Sequence, residues 1–393
     1  MIQRDYLILG SGVGGASACE GIRRHDKRGS VALVGAEIFH PYKRWLLSKN
    51  FLRDKTVPLK GFNVLEPSWY ASHKIETRLG ALVTQFNIDR RLAVLANGET
   101  IEFNKACLAM GSRPVRPPVA GTNLGNVIYL RTVRDALALR EMAGVEKTVM
   151  VVGGGLLACE VAASLRHLKL KVGVMHRHTH LLNRYVDPDT GAWLTDYFAK
   201  HGITMLMGES LNGFEGKTVL RNIQTKSGNR VPAGLAVVAY GAEPNLELVR
   251  NTPLSGPHGS PVSDYLETEE KGIYAIGDLA FYPDRLMGGM RRQTHWENAR
   301  EQGLIAGANM TGKKRIRYEQ IPYFWTEMFD LRLDFVGDFS IQPTRVELTG
   351  SHAKKKFVAR YYQGDKLRGI LLSQQPPREV DAAKTQLRRA LGK

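Results

Sequence analysis

The sequence predicts an α/β chain: two Rossmann-like dinucleotide-binding domains followed by a smaller C-terminal α+β domain. Three observations carry that expectation. An apolar strand, Tyr6 to Leu9, runs straight into Gly10-Ser11-Gly12-Val13-Gly14-Gly15 and then into a helical pattern. A second apolar strand, Thr148 to Val152, runs into Gly153-Gly154-Gly155-Leu156-Leu157-Ala158 and another helical pattern. Towards the C-terminus the pattern becomes short alternating strands, "LRLDFVGD", "KKFVARYY" and "LRGILLS", followed by the helical run "PREVDAAKTQLRRALGK".

In the first Gly-rich turn, Gly10, Gly12 and Gly15 match G-x-G-x-x-G. Gly10 permits the tight turn, Gly12 lets backbone approach a pyrophosphate, and Gly15 lets helix and strand pack closely. The helix N-terminus then faces the anion with unpaired N–H groups. Glu37 follows the next strand, where a carboxylate can accept from ribose hydroxyls. Gly10, Ser11, Gly12, Gly14, Gly15 and Glu37 are therefore assigned to the pyrophosphate and ribose of one dinucleotide. The plainer alternative is a Gly-rich turn in some other α/β protein, and the full strand–helix–carboxylate context argues against it.

The second turn repeats the logic with Gly153, Gly154, Gly155, Leu156 and Leu157, and Ala158 still allows close packing at the last position. Two such units imply two nucleotides. Here the following strand, "KVGVM", ends in His176, Arg177 and His178 instead of a ribose-binding carboxylate. A cation at that place suits the 2′-phosphate of NADP. The alternative is that these residues only begin a solvated loop, so NADPH and NADH both stay open.

The chain's 393 residues allow two or three domains with a sizeable core. Three cysteines, Cys19, Cys107 and Cys159, are too few and too scattered for a disulfide framework or a zinc site. Their usage fits a reducing, cytoplasmic setting. The first strand begins so early that no signal peptide is expected before it, and no apolar run approaches the ~20 residues a membrane helix needs. The balance of 55 Lys plus Arg against 38 Asp plus Glu gives a net charge of +17. That favours acidic partners, whether proteins, nucleic acid or anionic surfaces. Part of the excess is local, in "HAKKKFVAR" and "TQLRRALGK", but no nucleic-acid motif accompanies it.

A third segment, "LETEEKGIYAIGDLAFYP", carries Gly277-Asp278 at the end of an apolar strand. It resembles the second FAD motif of two-dinucleotide flavoproteins, in which the Asp accepts from a ribitol hydroxyl. "CLAMGSRP", with Ala109 and Gly111, and "VVAYGAEPN", with Gly241, are similar to the strands that return the chain between domains in that superfamily. Met110 stands where the first of these usually has Thr. "HPYKRWLLSKNFL" resembles the P-Y-x-R-P-P-L-S-K stretch of ferredoxin-reductase-like enzymes, with Trp45 and Leu46 replacing the two prolines. "RRQTHWENAREQGLIAGANMTG" and "IPYFWTEMFDLRLDFVG" resemble two further segments of that branch, with Thr294 where Glu is frequent. The branch includes rubredoxin and putidaredoxin reductases, reductase components of aromatic dioxygenases, and apoptosis-inducing factor.

The resemblance implies a glutathione-reductase-like layout. An FAD-binding domain would span 1–116 and 246–315, an NAD(P)-binding domain 117–245, and a C-terminal domain 316–393. It adds Arg44, Lys49, Val83, Ala109, Gly111, Arg131, Asp278, His295 and Trp296 to the FAD contacts. It adds Glu160 and Gly241 to the NAD(P) contacts already assigned to Gly153–Leu157, His176 and Arg177. It also implies that Lys49 lies by the flavin and pairs with Glu160, and that Trp325 lies beside flavin and nicotinamide.

Physically, hydride transfer needs nicotinamide stacked on flavin with water excluded, and the protein supplies positioning and electrostatics. A helix opening at His295–Trp296 would stabilise negative charge on the reduced flavin. Disulfide-reducing relatives carry a cysteine pair in the region of "HPYKRWLLSKNFL", which has none, so no redox-active disulfide is expected. Cys159 reads more simply as a small core residue. The implied function is an FAD-dependent NAD(P)H oxidoreductase that passes electrons to an acidic iron–sulfur protein such as ferredoxin or rubredoxin. The alternatives are a reductase of a small acceptor or oxygen, and a flavin redox sensor or interaction protein resembling apoptosis-inducing factor.

Overall fold

The structure, a computed structural model, describes residues 2–392, leaving Met1 and Lys393 outside. The chain divides into two compact units. The first comprises Met1–Lys43, Leu59–Arg113 and Glu243–Gln320; the second comprises Arg44–Pro58, Pro114–Ala242 and Ile321–Lys393.

In the first unit the strand Ile2–Leu9 is central. Val31–Gly35 and then Ile75–Leu79 lie on one side of it, and Thr100–Leu108 on the other, all parallel. A parallel sheet is covered on both faces, so its strands read as unbroken apolar runs. "VALVG" is accordingly buried along its whole length. The outer edge of Thr100–Leu108 is shared. Its beginning pairs antiparallel with Leu92–Leu95, itself paired with Val83–Asn87, and its end pairs parallel with Ile273–Ala275.

Two helices of this unit, Val13–His25 and Trp296–Met310, pack almost backbone to backbone. A Cβ on Gly303 would overlap the Gly14 carbonyl, one on Gly307 the Ala18 carbonyl, and one on Gly21 the Leu304 carbonyl. Gly303 and Gly307 are four residues apart and so share one helix face. The buried Asn298 amide adds polar anchoring, because its oxygen accepts from the hydroxyls of Tyr282 and Tyr318 at 3.3 and 2.8 Å.

The second unit has a parallel five-stranded sheet in the order Thr204–Met207, Lys171–His176, Thr148–Val152, Leu235–Val238, Val127–Ile128. An antiparallel sheet of Leu211–Gly216, Leu220–Thr225 and Arg230–Pro232 follows in the chain. The C-terminal part is a five-stranded antiparallel sheet in the order Tyr323–Met328, Leu331–Gly337, Lys366–Ser373, Lys356–Gln363, Arg345–Ser351. The helix Pro377–Ala390 buries Val380, Ala383 and Leu387. Three of those strands are the ones that alternation predicts. Arg345–Ser351 is an edge strand, mostly exposed, in which only Val346 and Leu348 alternate with polar residues.

Asp187 caps the helix Pro188–Lys200 and ties it to the C-terminal sheet. Its carboxylate accepts from the Thr190 N–H at 3.0 Å and the Tyr361 hydroxyl at 2.8 Å. Burial pushes this carboxyl up, but the hydrogen bonds from Thr190 and Tyr361 outweigh it and hold the pKa below the ordinary value. A lowered folded-state pKa gives stability that is present above the unfolded pKa and lost as pH falls through the folded one. Asp187→Asn should therefore flatten the acid limb of stability below roughly pH 4. Asp187→Ala should lose about 0.5–2 kcal/mol of capping at neutral pH. Urea unfolding across a pH series checks both.

Candidate functional site

The first unit gathers its predicted residues at the ends of the parallel strands. The Gly10 N–H donates to the Val34 carbonyl at 2.7 Å, and the Ala109 N–H to the Leu9 carbonyl at 2.7 Å. Gly10 has φ +118°, and a Cβ there would overlap the Ala109 carbonyl. A Cβ on Gly15 would overlap the Gly10 carbonyl, whereas one on Gly12 would meet nothing within 4 Å. The turn is thus closed by protein on all but the Gly12 side. Gly12 caps the helix Val13–His25 without any side-chain hydrogen bond. Its first N–H groups are left for an anion, and the cradle fits a dinucleotide pyrophosphate.

Glu37 accepts from the Tyr42 hydroxyl at 2.6 Å. The Gly80 N–H donates to the Glu37 carbonyl at 2.9 Å, which fastens the loop leading to Val83 beside it. Asp278 is buried, and its carboxylate accepts from the Ser112 hydroxyl at 2.6 Å. The preceding Gly277 N–H donates to the Gln302 side chain at 2.7 Å. Gly111 takes φ +68°, and the Met110 carbonyl accepts from the Asn245 amide at 2.8 Å. His295 caps the helix Trp296–Met310, its Nδ1 accepting from the Glu297 N–H at 3.4 Å. The Trp296 indole N–H is buried with no partner among the described residues.

In the second unit, the turn Arg44–Ser48 and the short helix Asn50–Arg53 pack on the helix Leu156–His167. The Ser164 hydroxyl donates to the Ser48 carbonyl at 2.6 Å and accepts from Arg53 Nε at 3.0 Å. At this junction Lys49 Nζ lies 2.6 Å from Glu160 Oε1, with side chains only 4 and 10 % exposed. Glu160 also accepts from the Thr326 hydroxyl at 2.7 Å and the Ser48 hydroxyl at 2.5 Å. A buried ion pair survives desolvation only when its remaining lone pairs are satisfied, and these two hydroxyls do that. Sequence reasoning does not single out Ser48 or Thr326. Each is a neighbour of a residue it does single out, Lys49 and Trp325.

Lys49 Nζ sits 5.1 Å from the centre of the Trp325 ring and 5.8 Å from that of Trp45. The two indoles meet edge to face at 4.9 Å. Trp45 therefore fills its place with an aromatic wall against Trp325, and its carbonyl accepts from Lys49 at 3.4 Å. Leu46 is buried. The Arg332 guanidinium also lies 4.9 Å from the Trp325 ring centre and pairs with Asp334 at 2.9 Å. Arg44 donates to the Arg131 carbonyl at 2.7 Å, and the Arg131 N–H donates to Asp135 at 3.0 Å.

The second Gly-rich turn repeats the geometry of the first. Gly153 has φ +135°, and a Cβ there would overlap the Ala239 carbonyl, while one on Gly155 would meet nothing. Gly155 caps the helix Leu156–His167 without a side-chain bond. Leu156 and Leu157 open that helix, and Gly241, at φ +113°, also borders open space. The His176 ring lies where a Cβ on Gly154 would go, and its Nε2 bonds the Asn183 side chain at 3.0 Å. Arg177 is exposed. The three cysteines are buried and free. Burial pushes the Cys19 thiol up to about 12 and those of Cys107 and Cys159 higher still, so none offers a thiolate near neutral pH.

The family model for pyridine nucleotide-disulphide oxidoreductases matches residues 4–303. The ferredoxin reductase component of chlorobenzene dioxygenase from Cupriavidus sp. (strain PS12) is 33% identical over 332 residues, covering 84% of this chain and 80% of that protein. Rhodocoxin reductase from Rhodococcus erythropolis is 31% identical, covering 97% of this chain and 88% of its own. The solved covalent complex of putidaredoxin reductase with putidaredoxin superposes with a TM-score of 0.93 at 28% identity, covering 99% of this chain and 94% of that one. The chain belongs to the pyridine nucleotide-disulphide oxidoreductase family. It is an oxidoreductase that works with FAD and a nicotinamide nucleotide. No helix among the described residues is long and apolar enough to cross a membrane.

Proposed function

We propose that the protein passes electrons from a nicotinamide nucleotide, by way of FAD, to a small acidic iron–sulfur protein, with no thiol relay. The observation that carries this reading is the buried Lys49–Glu160 pair, set against an aromatic wall in a segment without cysteine. The bound flavin supplies the conversion of a two-electron hydride donor into single electrons. The chain's own residues bind, orient and exclude water. Gly10, Ser11, Gly12, Gly14, Gly15 and Glu37 hold the adenine-side pyrophosphate and ribose, with Val83 beside the base. Asp278, Arg44, Arg131, Ala109, Gly111, His295 and Trp296 complete the FAD contacts. Lys49, fixed by Glu160, presents a desolvated cation to the flavin ring, and Trp325 shields the nicotinamide stack from water.

On this reading 1–116 with 246–315 is the FAD-binding domain, 117–245 the NAD(P)-binding domain and 316–393 the C-terminal domain. Buried, unpaired thiols suit work in the cytoplasm. The relative seen in covalent complex with putidaredoxin, and the net charge of +17, support an acidic protein acceptor. Such a surface steers its partner electrostatically, so the electron-transfer rate should fall steeply with added salt. Stopped-flow mixing of nucleotide-reduced protein with a [2Fe–2S] ferredoxin or a rubredoxin tests this. Rapid, salt-sensitive reoxidation of the flavin is expected. A long-wavelength band that persists in air, with no response to either carrier, would sink the reading and favour a redox sensor.

A further inference from the structure

We propose that Arg332 and Trp45 are positioning residues that fix the Trp325 indole in one orientation, so that hydride transfer takes place against a wall that does not swing. The inference rests on reading Trp325 as the shield of the nicotinamide stack, and it adds what holds that shield.

Trp325 needs holding because of where it stands. Its strand, Tyr323–Met328, is the outermost of the C-terminal sheet, paired with Leu331–Gly337 and with no strand beyond it among the described residues. The residue is only half-buried. A half-buried side chain on a sheet edge keeps several rotamers unless its neighbours exclude them.

Antiparallel pairing supplies the first neighbour. Trp325 lies opposite Asp334, and Glu327 opposite Arg332. Side chains alternate with a period of two, so all four share one face of the sheet. There the Arg332 guanidinium lies 4.9 Å from the Trp325 ring centre, within the range of a cation–π contact. It is held in place. Its Nε and one terminal nitrogen each donate to Asp334 at 2.9 Å, and the other terminal nitrogen donates to Glu327 at 3.0 Å. The Asp334 side chain is 1 % exposed and also accepts from the Tyr323 hydroxyl at 2.7 Å. A solvated surface pair would leave its carboxylate in water. Here a buried carboxylate and a two-bond fork fix the plane of the guanidinium, a geometry that lysine cannot reproduce.

Trp45 supplies the second neighbour. Its ring meets that of Trp325 edge to face, with centres 4.9 Å apart and planes at 75°, an arrangement that aromatic pairs favour. Its backbone is tied into the Lys49 junction, since its carbonyl accepts from Lys49 Nζ at 3.4 Å and from the Ser48 hydroxyl at 3.3 Å. The Lys49 ammonium, 5.1 Å from the Trp325 ring centre, is the third. Groups from two separate stretches of chain thus converge on one indole. The proline of the resembling motif has no aromatic ring to offer at position 45.

Fluorine NMR of FAD-loaded protein labelled with fluorotryptophan tests the assignment without relying on turnover, with Trp325→Phe identifying the resonance. One narrow line is expected from Trp325 in the unaltered protein. It should broaden or split in Trp45→Ala, and in Arg332→Leu combined with Asp334→Asn, which removes the fork without stranding a buried charge. In stopped flow, the limiting rate of flavin reduction at saturating nucleotide should fall about 10- to 100-fold in both variants, the effect of misplacing a positioning group by about 1 Å. Trp45→Phe should restore most of it. Neither change should have a further effect once Trp325 is replaced by alanine, because a positioning residue acts only through the group it positions. A Trp325 line that stays narrow in the variants, or rate losses that add to that of Trp325→Ala, would overturn the proposal. Failure of the underlying reading would look different: the line would respond as expected, but Trp325→Ala itself would leave the limiting rate unchanged.

Discussion

Glu160→Leu should destabilise the protein by about 3–5 kcal/mol, because it strands the Lys49 ammonium in the interior without its counter-ion. Lys49 has no other carboxylate beside it in the described structure, only the Trp45 carbonyl at 3.4 Å and two indole faces. The variant would also leave the Ser48 and Thr326 hydroxyls without their shared acceptor. Adding Lys49→Met should restore most of the loss, since replacing a whole buried pair by apolar groups of similar size is often neutral. Urea unfolding followed by far-ultraviolet circular dichroism measures both variants. Tryptophan fluorescence reports locally, because Trp45 and Trp325 flank the ammonium. If the double variant is as unstable as the single one, the ion pair is not what holds this junction. The recovered double variant should still reduce its flavin slowly, because stability is regained without the cation proposed to face the ring.

Gly12→Leu should give folded protein that purifies without flavin. The residue has extended backbone at φ −92°, which any amino acid adopts, and a Cβ there meets no protein atom. The side chain instead fills the side of the turn that the fold leaves open. Displacing a pyrophosphate from two helix N–H groups would forfeit about 3–6 kcal/mol of affinity. The ratio of flavin to protein absorbance, read beside the melting curve, separates lost binding from lost folding. Gly15→Leu is the contrast: its Cβ would overlap the Gly10 carbonyl, so the fold should fail with the binding. Gly155→Leu should keep flavin and lose the nicotinamide nucleotide. A Gly12→Leu protein that stays yellow would refute the cradle.

The parts of this molecule that read plainly from sequence are those where backbone geometry restricts the amino acid. Gly10 and Gly153 take φ values that side chains resist, and Gly15 has no room for a Cβ, so the two turns announce themselves. The parallel strands do so through unbroken apolar runs. Lys49 and Glu160 are legible only through resemblance to a family motif, because nothing local tells a lysine that it will be buried. Ser48 and Thr326 are ordinary hydroxyls until folding brings them onto one carboxylate. His176 and Arg177 look alike on paper as adjacent cations. Burial against Gly154 keeps one neutral, although its bond to Asn183 works the other way, while the other stays exposed, and no spacing rule encodes that. Trp45 is a substitution in the motif whose meaning depends on Trp325, which lies far along the chain.

The glycine-lined contact between Val13–His25 and Trp296–Met310 also sets an order of synthesis. The helix beneath the first nucleotide cradle leaves the ribosome long before its partner, with its Gly14, Ala18 and Gly21 face bare. The helix that covers this face is translated only after all of Pro114–Ala242, which belongs to the other unit. The strand Ile273–Ala275, which completes the edge of Thr100–Leu108, is equally late. Nascent chains of intermediate length therefore carry an unpaired sheet edge and an uncovered small-residue groove, the surfaces through which partly folded chains associate wrongly. The cradle at Gly10–Gly15 is translated well before the helix and strand that hold it in place.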